Sequence, residues 1–529
     1  MYATFDYKKI TFVTLITLIL AGSVYGTFGY KEQRFGSVSL TDALGNWAGQ
    51  QVLYLSYVLK RGGGNLFAGA FTSLDDTTET HDSRTARALP VLVYHSIGQE
   101  GEYSISEDRF ADQMEALYDA GWRTITLAEF EAFMNQGQPL PERSFLLTFD
   151  DGAKGSYYPV DPVLRVLGFS ALSFILPQYS IGGGTHYYLS SGEIETMLKS
   201  GRWEIGSHGQ DSHEFAAINQ EGVQGAKLAN RIWLEEEGRL ETTEEFAARV
   251  RNDLDTSKQN LESEFNREIS TFAFPFGEFG QLSRDYTLAL KNDIEDITRS
   301  IYRLAFYQTW EGEGFSFNYP KENEIAFMIK RIEPKPSTTP EELVQRLENG
   351  IPKDLPFIDD ISTDKGWFST WGKAVLTDGE IQMRANGNET GVATVLDGSG
   401  DWENYRVKMT VQSESKSGFV VFVRYQDNKN FAGCNFGNGF IHAEDTIDGN
   451  RRVINGIRDP AISIPVDQPF TVEATVNGRN IECRLLDYSV GTEFLDASLK
   501  KGGVGVKVWD ETVGVAELDV LEVSVEPLQ

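Results

Sequence analysis

The chain has 529 residues, 40% hydrophobic and 24% charged, enough to bury ample core in about three units of ordinary domain size. Its formal net charge of −30 excludes nucleic acid as a partner, because phosphates would be repelled, and suits a soluble surface outside the cytoplasm. The two cysteines, Cys434 and Cys483, both lie late in strand-like runs, where free buried thiols are the ordinary expectation and a bridge formed outside the cytoplasm is the alternative.

At the N-terminus, Lys8-Lys9 precede residues 10–30, an uncharged stretch about as long as the roughly 20 residues that a bilayer span needs. Small residues Ala21, Gly22, Ser23 and Gly26 follow its most apolar part. We read 1–30 as an uncleaved anchor, with a cleaved signal peptide as the alternative. In both cases the positive flank places the bulk of the chain outside the cytoplasm, and the membrane is a partner only through this segment. Residues 31–87 read as stem and linker, with Gly62-Gly63-Gly64 and the polar run Ser73-Leu74-Asp75-Asp76-Thr77-Thr78-Glu79-Thr80.

From residue 88 apolar runs alternate with amphipathic ones, which predicts parallel strands joined by crossover helices. Leu89-Pro90-Val91-Leu92-Val93-Tyr94 reads as a strand ending at His95, residues 108–117 as an amphipathic helix, and Ser144-Phe145-Leu146-Leu147 as a buried strand. That strand runs into Thr148-Phe149-Asp150-Asp151-Gly152, so two adjacent carboxylates are delivered to the rim of a sheet. Neighbouring acids repel, and the pair is stable only if a cation neutralises one or a proton sits on one. Both are working states of a metal-assisted hydrolase.

Residues 161–167 read as a helix, and Trp203-Glu204-Ile205-Gly206-Ser207 as a strand that ends at His208. His213 follows in the same loop, and the chain has only six histidines. Imidazoles joined to a carboxylate suit a divalent ion, with Zn first and Ni, Co or Fe as alternatives, and three protein ligands leave positions open. A pair of ordinary surface histidines is the competing reading. His186, in the loop Gly182-Gly183-Gly184-Thr185-His186-Tyr187, reads as surface. Residues 220–266 form a charged insertion, helical through 244–265, whose charges read as a solvated face. Thr271-Phe272-Ala273-Phe274-Pro275-Phe276-Gly277 is another short strand broken by Pro and Gly, and Ile325-Ala326-Phe327-Met328-Ile329-Lys330-Arg331 is a late one.

Beyond Pro352 the pattern changes to short alternating strands over 405–411, 418–425, 470–476 and 503–509, with turns such as Asn477-Gly478, which predicts an all-β sandwich over 354–529. Trp402-Glu403-Asn404-Tyr405 and Arg424-Tyr425-Gln426-Asp427-Asn428 give this stretch a resemblance to concanavalin-like jelly rolls of the laminin-G and keto-disaccharide-hydrolase type. Trp367, Trp371 and Trp509 are candidates for stacking on sugar rings, with burial in the core expected for at least two of them.

The strand-end motifs together resemble the polysaccharide deacetylases, the NodB-homology group of carbohydrate esterase family 4, over 88–350. Thr148 to Gly152 is similar to their first motif, His208 to His213 to the second, and Phe274-Pro275-Phe276-Gly277 to the third. The opening Leu89 to Ile97 resembles the branch that deacetylates poly-β-1,6-N-acetylglucosamine. The resemblance implies an α/β fold, an incomplete (β/α) barrel with its site at the C-terminal strand ends. It also implies an N-acetylated polysaccharide as substrate and release of acetate.

Carried over to this chain, the resemblance assigns Asp151, His208 and His213 to the metal and makes Asp150 the general base that takes a proton from the attacking water. A backbone N–H near Phe276 would face the oxyanion, since Pro275 has none to offer. Two departures stand out. Ala273 occupies the place of the Arg that orients the base, and the late strand lacks the His of the usual Leu-x-His. Arg331 is the candidate to orient Asp150. His95 is the candidate general acid, and a structural histidine bonded to a backbone carbonyl is the alternative. A peptidoglycan deacetylase and a catalytically silent glycan-binding protein remain as competing functions.

Overall fold

The computed structural model describes residues 40–60, 84–98, 104–182, 187–281, 288–309, 314–321, 324–377, 379–492 and 495–528. Residues 10–30, the triple glycine and polar run of the stem, and His186 lie outside them. No helix among the described residues is long and apolar enough to cross a membrane. Within the stretch read as stem, the chain forms a helix of 21 residues, α1 (Leu40–Lys60), so this part of it is not linker. Two compact units emerge: Met1–Gln308 with Pro320–Val344, and Thr309–Tyr319 with Gln345–Gln529.

In the first unit, β1 (Val91–Tyr94), β2 (Arg123–Thr124), β3 (Ser144–Phe149), β4 (Ala171–Ile175) and β5 (Trp203–Ser207) come before two short antiparallel hairpins. The hairpins pair β6 (Phe215–Ala217) with β7 (Gln224–Ala226), and β8 (Trp233–Leu234) with β9 (Arg239–Leu240). After them come β10 (Thr271–Ala273), β11 (Leu304–Gln308) and β12 (Met328–Arg331). The sheet order is β1-β3-β4-β5-β10-β11-β12, with β2 beside β3 and every pair parallel. The chain past β12 then returns to β1: Ile332 N–H donates to the Val91 carbonyl at 2.7 Å and Val93 N–H to the Ile332 carbonyl at 2.9 Å. The result is the nearly closed parallel barrel that the resemblance implies.

Strands β1, β3 and β4 are buried at every residue, as parallel strands covered on both faces must be, which is why they read as unbroken apolar runs. The rings of Phe130, Phe174 and Phe306 meet at 5.2 to 6.3 Å in this core, each contributing about 2–3 kcal/mol of burial. The late strand is shorter than its apolar run suggested; it starts at Met328, and Ile325 is exposed.

The outer helices are α2 (Glu107–Asp119), α3 (Leu127–Gln136), α4 (Asp161–Leu167), α5 (Pro177–Ser180), α6 (Ser191–Lys199), α7 (Thr243–Phe265) and α8 (Leu288–Ile301), with α9 (Pro340–Gly350) leading into the second unit. Capping boxes from Thr126 with Glu129, Ser190 with Glu193 and Thr242 with Glu245 fix the starts of α3, α6 and α7 by satisfying amides that the first turn leaves free. The insertion is not solvated throughout. Phe246, Val250, Leu254, Leu261 and Phe265 form a buried stripe along α7, and Asp253 and Ser257 share it.

The second unit is the expected all-β sandwich. One sheet takes β13 (Phe357–Asp359), β15 (Ala374–Thr377), β16 (Glu380–Arg384), β18 (Tyr405–Gln412), β23 (Phe470–Asn477), β24 (Asn480–Leu485), β25 (Tyr488–Thr492) and β27 (Glu517–Pro527). The other takes β14 (Trp367–Trp371), β17 (Gly391–Leu396), β19 (Gly418–Asp427), β20 (Asn430–Gly437), β21 (Phe440–Ile447), β22 (Asn450–Arg458) and β26 (Gly503–Trp509). All pairings are antiparallel, and inward residues such as Val407, Met409, Val421 and Val506 fill the space between the sheets.

The cysteines are not free. Cys434 on β20 and Cys483 on β24 form a disulfide across the core. Strand alternation turns both inward from opposing sheets, with their Cα atoms 5.3 Å apart, and this meeting has no local trace in the sequence. Of the tryptophans, Trp367 is half-buried and donates to Asp359 at 2.8 Å, Trp509 packs against a small apolar cluster with Phe315 and Phe422, and Trp371 is 39% exposed.

Candidate active site

Every candidate side chain sits at the C-terminal rim of the barrel. His95 follows β1, Asp150 and Asp151 follow β3, His208 follows β5, the Phe274-to-Gly277 turn follows β10, and Arg331 ends β12. Asp151 has φ +71° and Gly152 φ +67°, a sharp turn into the left-handed region, which Asp tolerates better than most residues. The turn separates the neighbouring carboxylates, sending one toward Arg331 and the other toward the imidazoles.

Asp151 Oδ1 lies 3.2 Å from His213 Nε2 and 3.5 Å from His208 Nε2, and one ligand atom from each of the three falls within 4.8 Å of the others. His208 Nδ1 is 2.8 Å from the Ala273 carbonyl. A carbonyl can only accept, so Nδ1 carries the hydrogen and Nε2 presents a lone pair toward Asp151. Asp151 Oδ1 is buried and receives no hydrogen bond. An acceptor oxygen facing imidazole lone pairs calls for a cation, so these residues fit a divalent ion. Burial raises the Asp151 carboxyl's cost of ionising; when the imidazoles carry their protons instead of a metal, His208, His95 and His213 outweigh it and hold its pKa well below the usual carboxylate range. Burial, then His208, pushes His213 below its ordinary value, toward the neutral form that ligates.

Asp150 is turned the other way. Arg331 grips it bidentately, Nη1 to Oδ1 at 2.6 Å and Nη2 to Oδ2 at 2.7 Å, and neither side chain is exposed. Burial alone would push the Asp150 carboxyl up; Arg331 and His208 overcome that and hold it below the ordinary value, so it is ionised and fixed in orientation. Gln308, at the end of β11, lies 3.4 Å from both Arg331 and His95.

His95 faces this group, with Nε2 3.9 Å from Asp150 Oδ2 and Nδ1 2.9 Å from Glu333 Oε1. Burial disfavours its charged form, but Glu333 and then Asp150 and Asp151 raise its pKa to about 9. Phe276 adopts φ +59°, uncommon for an aromatic residue, and its ring lies 4.5 Å from that of His213 and 4.6 Å from that of Phe215, which is 57% exposed.

Three participants in this arrangement escaped the sequence reading. Glu333 stands two residues past Arg331, on the same side of an extended chain, and that spacing could have flagged it. Gln308 has no such signal. Asp253 was counted among solvated charges, yet it is buried against the loop between the histidines.

Residues 137–293 match the family model for polysaccharide deacetylase. The chain is 31% identical over 150 residues to YxkH of Bacillus subtilis strain 168, a protein named for the same activity, covering 28% of this chain and 52% of that one. It is 27% identical over 202 residues to the poly-beta-1,6-N-acetyl-D-glucosamine N-deacetylase of Staphylococcus aureus strain MRSA252, covering 37% of this chain and 62% of that one. The chain thus spans less than two thirds of the length of these curated relatives. Among solved structures, a de-N-acetylase from Aggregatibacter actinomycetemcomitans aligns with a TM-score of 0.42 and 18% identity over 49% of this chain and 99% of that one. The match to the polysaccharide deacetylase model lies within the barrel unit and spans Asp150, Asp151, His208 and His213.

Proposed function

We propose that the chain hydrolyses N-acetyl groups on a polysaccharide containing N-acetylglucosamine, releasing acetate and leaving free amines. One observation carries this reading: adjacent carboxylates are split between two tasks, Asp151 joining His208 and His213 while Asp150 is held by Arg331. A divalent ion held by Asp151, His208 and His213, with Zn first and Ni, Co or Fe as alternatives, would supply Lewis-acid polarisation of the acetyl carbonyl and the attacking water.

Asp150, kept ionised and oriented by the Arg331 fork, takes the proton of the attacking water on a lone pair that Arg331 leaves free. His95, charged through its pairing with Glu333, gives a proton to the departing amine. The Phe276 amide, on a residue whose backbone is left-handed, is the donor this reading sets against the developing oxyanion. Arg331 thus takes the positioning task that Ala273 cannot perform, while the Ala273 carbonyl orients His208.

The staphylococcal relative's name supports poly-β-1,6-N-acetylglucosamine as the glycan. The deciding assay is acetate release from that polymer and from muropeptides, with and without a chelator. Release from the polymer alone, abolished by chelation, supports the reading. Release from muropeptides alone assigns the enzyme to peptidoglycan, and no release from either sinks the hydrolase.

The sandwich supports a second role, retention on glycan. Trp371 packs against Gly391, where a Cβ would stand 2.5 and 2.9 Å from two carbons of its ring, and Lys507 Nζ stands 4.5 Å from the ring centroid. Binding of the full chain to the polymer, weakened by Trp371→Ala with acetate release from short oligomers unchanged, tests this. The Cys434–Cys483 bridge and the N-terminal segment together favour a location outside the cytoplasm, anchored at the membrane.

A further inference from the structure

The loop that carries His213 away from His208 is short, polar and tightly folded. Gly209, at φ +89°, turns it so closely that a Cβ there would stand 2.4 Å from Ser212 Oγ and 3.0 Å from Asp253 Oδ2. Asp253 comes from the middle of α7, some forty residues later in the chain, and is 6% exposed. Its carboxylate accepts from Gln210 N–H at 3.0 Å, Asp211 N–H at 2.8 Å and the Ser212 hydroxyl at 2.5 Å. Consecutive donors converge on two oxygens, so the loop is wound around the carboxylate. Outer struts complete the frame: Asn260 reaches Gln210 at 3.0 Å and Lys227 reaches Asp211 at 2.9 Å.

We propose that Asp253 is a positioning residue for the candidate metal site, its carboxylate fixing the 209–212 loop so that both imidazoles converge on Asp151. This rests on the deacetylase reading above. A buried acid in a largely apolar helix stripe costs stability unless its hydrogen bonds are satisfied, and here the donors that satisfy it, from Gln210, Asp211 and Ser212, lie between the two histidines. The geometry that Asp253 imposes is one that the loop's own residues do not specify, because Gly209 and the amides of Gln210 and Asp211 could turn in several ways without it. His213 depends on it more than His208, which is also tied to the Ala273 carbonyl.

The test titrates Zn²⁺ into the chelator-stripped full chain against a chromophoric competitor, comparing wild type, Asp253→Asn, Ser212→Ala, the double variant and Tyr302→Phe. Asn keeps one acceptor oxygen but sets an NH₂ group against donors. Asp253→Asn is expected to raise the Zn²⁺ Kd roughly ten- to a hundredfold. Ser212→Ala should raise it less, and the double variant should resemble Asp253→Asn, because both changes remove the same bond. Acetate release by Asp253→Asn should recover as Zn²⁺ is raised past the new Kd.

Tyr302→Phe removes a buried hydrogen bond to the Leu254 carbonyl, 3.0 Å away and one residue along the same helix. It should lower the melting temperature and leave the Zn²⁺ Kd within twofold. A Zn²⁺ Kd for Asp253→Asn within twofold of wild type, or shifted no more than that of Tyr302→Phe, overturns the proposal. If Asp253→Asn does not fold, an unchanged Kd in Ser212→Ala overturns it instead. Wild-type chain that binds Zn²⁺ but releases no acetate sinks the deacetylase reading and leaves the role of Asp253 in shaping the site standing.

Discussion

Arg331 and Asp150, 181 residues apart in the chain, meet as a two-pronged ion pair at 2.6 and 2.7 Å with both side chains fully buried. The pair joins the end of β12 to the end of β3, strands that lie at different places around the barrel. It also converts a carboxylate that burial would protonate into one that is charged and aimed.

Breaking this pair should therefore cost both stability and rate. Arg331→Met leaves Asp150 buried without its partner, a loss of roughly 3–5 kcal/mol in unfolding free energy by denaturant titration. Arg331→Lys keeps the charge but loses the fork, so it should fold and still release acetate about a hundredfold more slowly or worse. Turnover by Arg331→Lys at the wild-type rate would show that the orientation of Asp150 is unimportant.

The two carboxylates should separate cleanly in a metal assay. Asp150→Asn should abolish acetate release while metal content stays at the wild-type level. Replacing Asp151 or His208 by Ala should lower the metal content itself, and chelation of the wild type should stop turnover until a divalent ion is restored. Metal loss in Asp150→Asn equal to that in Asp151→Ala would erase the division of labour between them.

What the sequence made legible here is what neighbouring residues settle among themselves. Asp150 with Asp151, and His208 with His213, are close in the chain, and the buried strands before them are continuous apolar runs, so the rim of a parallel barrel could be read directly. The supporting groups could not. Arg331 was singled out only because Ala273 left a vacancy, Gln308 carried no pattern, and Asp253, though in helical register with Phe246, Val250 and Leu261, sat among the charges of α7. Each acts across a long stretch of chain, and only folding makes them neighbours. The bridge between Cys434 and Cys483, 49 residues apart, escaped for the same reason: alternation says that both point inward but not that they meet.

If His95 protonates the departing amine, its importance should depend on the leaving group. His95→Gln should slow acetate release from an N-acetyl substrate by about a hundredfold or more, because an amine leaves poorly without a proton. Hydrolysis of an aryl acetate, whose phenolate leaves unaided, should change by less than a few-fold. Equal losses on both substrates would mean that His95 holds the site together rather than supplying the proton.

The pairing of His95 with Glu333 also predicts a pH dependence in chelator-treated protein. Folding raises the His95 pKa from about 6.5 to about 9, so the folded state binds the proton more tightly than the unfolded chain. The stability this provides is fully present below about pH 6.5 and is lost as pH rises through about 9. Glu333→Gln removes the carboxylate that does most to favour the charged imidazole, and should flatten that decline. Denaturant titrations of the two proteins at pH 6, 7.5 and 9 give the comparison. Parallel curves across that range would mean that Glu333 does not set the charge on His95.

Reduction should weaken the sandwich. Closing a loop of about fifty residues stabilises the native state by about 4 kcal/mol in the chain-entropy model, and Cys434 and Cys483 are both fully buried. Replacing both by Ala removes the cross-link and leaves small voids between β20 and β24, so the variant should melt at a lower temperature than the oxidised wild type. A reductant should lower the wild-type transition toward that of the variant and leave the variant itself unmoved. A wild-type melting temperature indifferent to reductant, with free thiols confirmed by labelling after unfolding, would show that the bridge adds nothing to the core that Val407, Val421 and Val506 already fill.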